Sequence, residues 1–233
     1  MKKILNRNHI KLIALVTMLI DHICLILQPT LPYWAYLLLR TIGRISFPLF
    51  AYFVSEGFYY TKSKGKYALK LFIFGLISQM PFYLNIMFTF LISILFMWLF
   101  DKLFRENNGI NKSLYVTISI LLLFLIEMLS AIKITTDYSS YGILITLMFY
   151  IFKNQKIKSL VWFAVLVITN LSLGLLYSKT IEYELFFVAF QLLAIPLLLI
   201  YNGKKGNINL KYVFYWFYPL HLIMLYIIKI IIY

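Results

Sequence analysis

Long apolar runs alternate with short basic clusters along the whole chain, and this alternation restricts the fold more than any single motif does. A bilayer core about 30 Å thick takes about 20 apolar residues in a helix. Lipid offers the backbone no hydrogen-bond partners, so only helices or closed barrels can cross it. Nine runs fit helical spans, near 11–28, 38–60, 70–84, 87–100, 113–132, 141–152, 159–176, 183–201 and 211–231. The third, fourth and sixth are short, so tilted, re-entrant or merged segments are expected there. The expected fold is all-α: a polytopic transmembrane helical bundle of about nine spans (8–10), forming a single integral-membrane domain over 1–233. Composition agrees. Hydrophobic residues make up 63% and charged residues 13%, where soluble domains run near half and a quarter.

The net charge of +14 does not point to nucleic acid, because Lys and Arg fall between apolar runs instead of forming one basic stripe. They read as topology signals. If the N-terminus is inside, the inner segments hold every Lys and Arg except Arg40, Arg44, Lys133, Lys179 and Lys229. That bias predicts an N-in, C-out chain with an odd number of spans. The basic, then apolar N-terminus lacks a small-residue cleavage site and reads as an uncleaved first helix. The single cysteine, Cys24, excludes an intrachain disulfide and reads as a packing residue.

Ionisable residues inside the runs are few: Asp21, His22, Arg40, Arg44, Glu56, Glu127 and His221. Such residues face a bundle interior or an aqueous cavity, and they serve either helix packing or function. His22 lies eleven residues beyond Lys11, and His221 lies ten beyond Lys211. At about 1.5 Å per residue, both imidazoles are expected about 15–16 Å from the inner interface. Asp21 and His22 are adjacent, but helix geometry points them about 100° apart. They are therefore not expected to form a dyad. The neighbours on the His22 face, Met18 and Ile26, are apolar, so its partner must come from another helix or from a ligand. Asp21 is expected to hold a cation, with Arg44 the leading candidate.

The segment "RTIGRISFPLFAYFVSEGFYY" carries the most chemistry. Arg40 and Arg44 share one helix face, which calls for an anion nearby. Arg40 is expected near the outer interface, toward the acceptor or an outer acid such as Asp137. Pro48 is expected to kink the helix. Gly43 and Gly57 read as points of close helix approach.

Read together, "KLIALVTMLIDHI", "RTIGRISFPLFAYFVSEGFYYT", "LISQMPF", "NIMFTF", "DYSSYGIL" and "FYPLHL" resemble the TraX family of bacterial integral membrane proteins, in that family's order and over most of the chain. The family takes its name from a protein that N-acetylates conjugative pilin. It resembles, more distantly, transmembrane acetyltransferases acting on glucosamine and on surface polysaccharides, which use cytoplasmic acetyl-CoA and an intramembrane histidine. The resemblance implies an acetyltransferase of the bacterial cytoplasmic (inner) membrane, with acetyl-CoA as acyl donor, no metal, and a peptide or glycan acceptor. It makes His22 the candidate general base, and it places Asp21, Arg40, Arg44, Glu56, Asp137 and His221 at family motif positions. Amine acylation is the leading expectation. O-acylation of a surface sugar, a transporter or channel, and a non-catalytic assembly protein are the alternatives. For the chemistry, a histidine near neutrality can take a proton from an attacking amine. Arg44, a tyrosine hydroxyl or His221 can stabilise the oxyanion. Direct transfer and a route through acetyl-histidine both remain open.

Overall fold

The computed structural model describes residues 3–79, 85–105, 112–131, 138–177, 188–208 and 211–232. Its helices are α1 (Arg7–Leu27), α2 (Tyr33–Gly43), α3 (Ser46–Tyr60), α4 (Lys64–Ser78), α5 (Ile86–Phe100), α6 (Lys112–Ala131), α7 (Ser139–Ile151), α8 (Lys156–Tyr177), α9 (Ala194–Leu199) and α10 (Lys211–Ile232). A 3₁₀ turn, Gln28–Thr30, extends α1, another, Ala189–Leu193, leads into α9, and a π-helical turn, Asp101–Arg105, extends α5. Among the described residues there is no strand, only one isolated bridge between Leu5 and Tyr201. Among the described residues, four helical stretches are long and apolar enough to cross a membrane: Arg7–Thr30, Tyr33–Tyr60, Ile86–Phe104 and Tyr212–Ile232. The expected all-helical class holds, and most expected runs fall on helices within a few residues. Positions 80–84 and 183–187 of those runs lie outside the described residues.

The chain forms two compact units, Met1–Phe50 with Leu160–Tyr233, and Ala51–Ser159. In the first, α1 packs against α2 and α10. Asn6 caps α1 by accepting from the His9 amide at 3.0 Å, which satisfies one of the helix's orphan donors. A backbone clip ties this start to the segment ahead of α10. Leu5 N donates to Ile200 O (3.2 Å), Asn202 N to Leu5 O (2.9 Å) and Arg7 N to Lys204 O (3.0 Å). The intervening turn needs the left-handed backbone of Gly203, at φ 75°.

The expected continuous span 38–60 is two helices. The break falls at Arg44–Ile45, ahead of Pro48. Pro48 sits in the first turn of α3, where a missing N–H leaves no bond unmade. Its ring would collide with the carbonyl four residues back, that of Arg44, so α2 cannot run on through it. Ser46 bridges the join, its hydroxyl donating to Gly43 O at 2.8 Å.

In the second unit α4 and α7 pack on α5, and α6 packs on α7. Ser63 caps α4, so the helix begins at Lys64 and the lysines 64, 66 and 70 belong to it, not to a preceding loop. Asn85 caps α5 by accepting from Met87 N at 2.9 Å, and its amide donates to Gly75 O at 2.6 Å. One side chain thus starts α5 and fixes it to α4.

Candidate functional site

The first unit gathers most of the residues singled out in the sequence. Asp21, buried on α1, faces the C-terminal end of α2. There Arg40 Nη1 lies 2.7 Å from Asp21 Oδ2, and Arg44 Nη2 donates to the same oxygen. Spacing of four puts both guanidinium groups on one helix face, and Gly43 lets α1 come close between them. A Cβ on Gly43 would overlap the Asp21 side chain. The expected Asp21–Arg44 pair is present. Arg40 is buried and lies against Asp21 on α1. The reason is electrostatic. A buried carboxylate needs compensation, and Arg40 is one helical turn from Arg44.

His22 points away from this clamp, as helix geometry requires. Its Nδ1 lies 2.9 Å from Nε2 of His221 on α10, with ring centroids 5.0 Å apart. The equal depths inferred by counting from Lys11 and Lys211 therefore correspond to direct contact. His221 is buried and its Nδ1 lies 2.6 Å from the Phe217 carbonyl, one turn earlier on the same helix. Phe217 stacks on its ring at 4.9 Å, and Tyr218 meets it edge-on at 5.7 Å. Pro219 lies within this helix. The His221 ring is thus fixed on several sides. His22 is partly buried.

Other expected site residues stand apart. Glu56 is buried on α3 within the second unit. Asp137 lies outside the described residues. The sequence reading passed over a second polar centre in that unit. Asp101, in the π-helical turn after α5, accepts from Lys64 Nζ at 2.5 Å, and Tyr150 Oη on α7 is 2.6 Å from both its oxygens. Its only signal was an acid following the fifteen residues of α5, thirteen of them apolar, next to Lys102. That pattern also marks an ordinary helix end. Nearby, the Lys153 ammonium lies 3.3 Å from the ring centroids of both Tyr59 and Tyr60. Among the described residues, no three His, Cys, Asp or Glu side chains gather as metal ligands would.

Helices long and apolar enough to cross a bilayer, with a buried ion-pair clamp and an interhelical imidazole pair, give this chain the features of a helical membrane protein. More narrowly, it belongs to the TraX family: the family model described as TraX protein matches residues 6–229. It is also similar to the probable fimbrial assembly protein FimC, serogroup H1, of Dichelobacter nodosus. The two are 26% identical over 244 residues, covering 93% of this chain and 92% of that protein. No solved structure matches the chain.

Proposed function

We propose that this chain is an integral-membrane acetyltransferase that moves an acetyl group from acetyl-CoA to an amine, with His22 as general base. The observation that carries the reading is the His22–His221 contact at 2.9 Å. It joins two helices almost two hundred residues apart in sequence within an apolar scaffold. Packing alone is served more simply by apolar side chains, since an intramembrane ionisable group is costly.

In this reading His22 takes a proton from the acceptor amine as the C–N bond forms. The C–S bond breaks, and His22 returns the proton to the departing sulfur. Holding both reactants in one cavity supplies the positioning. Asp21, Arg40 and Arg44 hold α1 against α2, so that the His22 ring is fixed in place. The alternation of basic clusters supports an N-in, C-out arrangement of about nine spans in the bacterial inner membrane. The acyl donor would then approach from the face that carries Lys62, Lys66 and Lys70. The likeness to a probable fimbrial assembly protein of Dichelobacter nodosus favours a peptide amino terminus over an amino sugar as acceptor.

The test uses purified protein in nanodiscs with acetyl-CoA and a panel of peptide amines, glucosamine and sugar hydroxyls, reading thiol release and acetylated product. Transfer to a peptide amine is expected. His22→Ala should lower it by about 10²–10⁴-fold, the usual contribution of a general base, with thermal stability little changed. Undiminished transfer in that variant removes His22 from the mechanism. Absence of transfer to every acceptor removes the activity itself.

A further inference from the structure

We propose that His221 is a positioning residue that fixes the tautomer of His22, so that the basic nitrogen of His22 is Nε2. The proposal rests on the reading of His22 as the base, and it adds which atom acts and what makes it act.

The argument starts at a backbone carbonyl. Phe217 O can only accept hydrogen bonds. His221 Nδ1, 2.6 Å away, therefore carries a hydrogen. A neutral imidazole has one donor nitrogen and one acceptor nitrogen, so His221 Nε2 holds a lone pair. That lone pair faces His22 Nδ1 at 2.9 Å, and the contact is a hydrogen bond only if His22 Nδ1 donates. His22 Nε2 is then the unprotonated nitrogen. The opposite polarity, with His221 Nε2 donating, requires both nitrogens of His221 to be protonated. That would put a charge on a ring that is buried and packed against Phe217 and Tyr218, an expensive arrangement.

A carbonyl on α10 thus sets the proton on a ring of α1 through one intermediate imidazole. In a Ser-His-Asp triad a carboxylate performs the same service, orienting the base histidine and holding its tautomer. Here the neighbouring carboxylate, Asp21, is committed to Arg40 and Arg44, and a neutral ring takes its place. When His22 gains a proton on Nε2, its Nδ1–H keeps donating to His221, and the orientation persists through the step. An isolated imidazole favours a hydrogen on Nε2, which would leave the wrong nitrogen basic. His221 reverses that preference.

Ring-nitrogen NMR of the full-length protein, labelled with ¹⁵N-histidine in nanodiscs, reads tautomers directly. His22 and His221 are both expected as Nδ1–H, and loss of one set of signals in His22→Gln assigns them. In His221→Phe the His22 signals should move toward Nε2–H, and transfer should fall about 10- to 100-fold, as when an orienting partner of a functional histidine is removed. In His221→Gln the amide oxygen can accept from His22 Nδ1–H, so tautomer and most of the rate should return. A hydrogen on Nε2 of His22 in the unmodified protein overturns the proposal. So does a His22 tautomer indifferent to His221→Phe. If that variant does not fold, His221→Gln decides: a shift of His22 to Nε2–H, despite an available acceptor, also overturns it. If the expected tautomers appear but no acceptor is acetylated, the relay stands and the acetyltransferase reading falls.

Discussion

Each unit of this molecule buries an aspartate among cations or donors, Asp21 in the first and Asp101 in the second, and the two are set in different surroundings. Asp101 is closed in by Lys64 and Tyr150, with one oxygen taking both and the other taking the tyrosine hydroxyl. The group joins the start of α4, the turn after α5 and the end of α7, and a network of that kind holds helices together. Asp21 likewise joins α1 to α2 through two arginines, but the next residue in its chain is an imidazole directed to a third helix. The contrast shows that a buried ion pair does not by itself mark chemistry. What distinguishes the Asp21 clamp is the interhelical imidazole pair that adjoins it.

The comparison can be broken by separating rate from stability. The largest effect is expected from His22→Gln, which should cost about 10²–10⁴-fold in transfer while unfolding in mixed micelles barely changes. Next are Asp21→Ala and Arg44→Ala. Asp21→Ala takes the carboxylate from two buried arginines and should destabilise by about 3–5 kcal/mol, while Arg44→Ala leaves Asp21 paired with Arg40 and should cost less. The double variant should fall short of their sum by about 0.5–3 kcal/mol, and strict additivity would reject the pairing. In the second unit Tyr150→Phe removes a hydroxyl bound to a carboxylate. It should cost about 1.5–3 kcal/mol with the transfer rate per folded molecule unchanged, and a lost rate would erase the distinction between the two centres. Gly43→Ala forces a methyl into Asp21 and should cost about 1–3 kcal/mol. The smallest effect belongs to Gly65→Ala, since a Cβ there meets nothing within 4 Å. It should be neutral or stabilising by about 0.4–1 kcal/mol, measured in the same unfolding assay.

Much of this was readable from residue spacing. Hydropathy located the helices because a chain in lipid must satisfy its backbone internally. The registers of His22 and His221, counted from flanking lysines, anticipated their contact, and the 100° step separated Asp21 from His22. Four features were not readable. The helix break at Arg44–Ile45 depends on where a proline's ring collides, four residues before the proline itself. The burial of Arg40 depends on α1 and α2 lying side by side, which a one-dimensional pattern does not encode. Asp101 looked like an ordinary helix end, because its partners Lys64 and Tyr150 lie 37 and 49 residues away. The polarity of the imidazole pair was also hidden, since it follows from a backbone carbonyl that no residue type announces.

The His22–His221 contact spans 199 positions, and this sets a timetable for biogenesis. The ribosome releases α1 long before α10, so the membrane receives a half-built centre first. Throughout synthesis His22 waits without the partner that orients it. The imidazole pair forms only when the two distant helices meet, so the order of translation makes it one of the last contacts of the first unit to close.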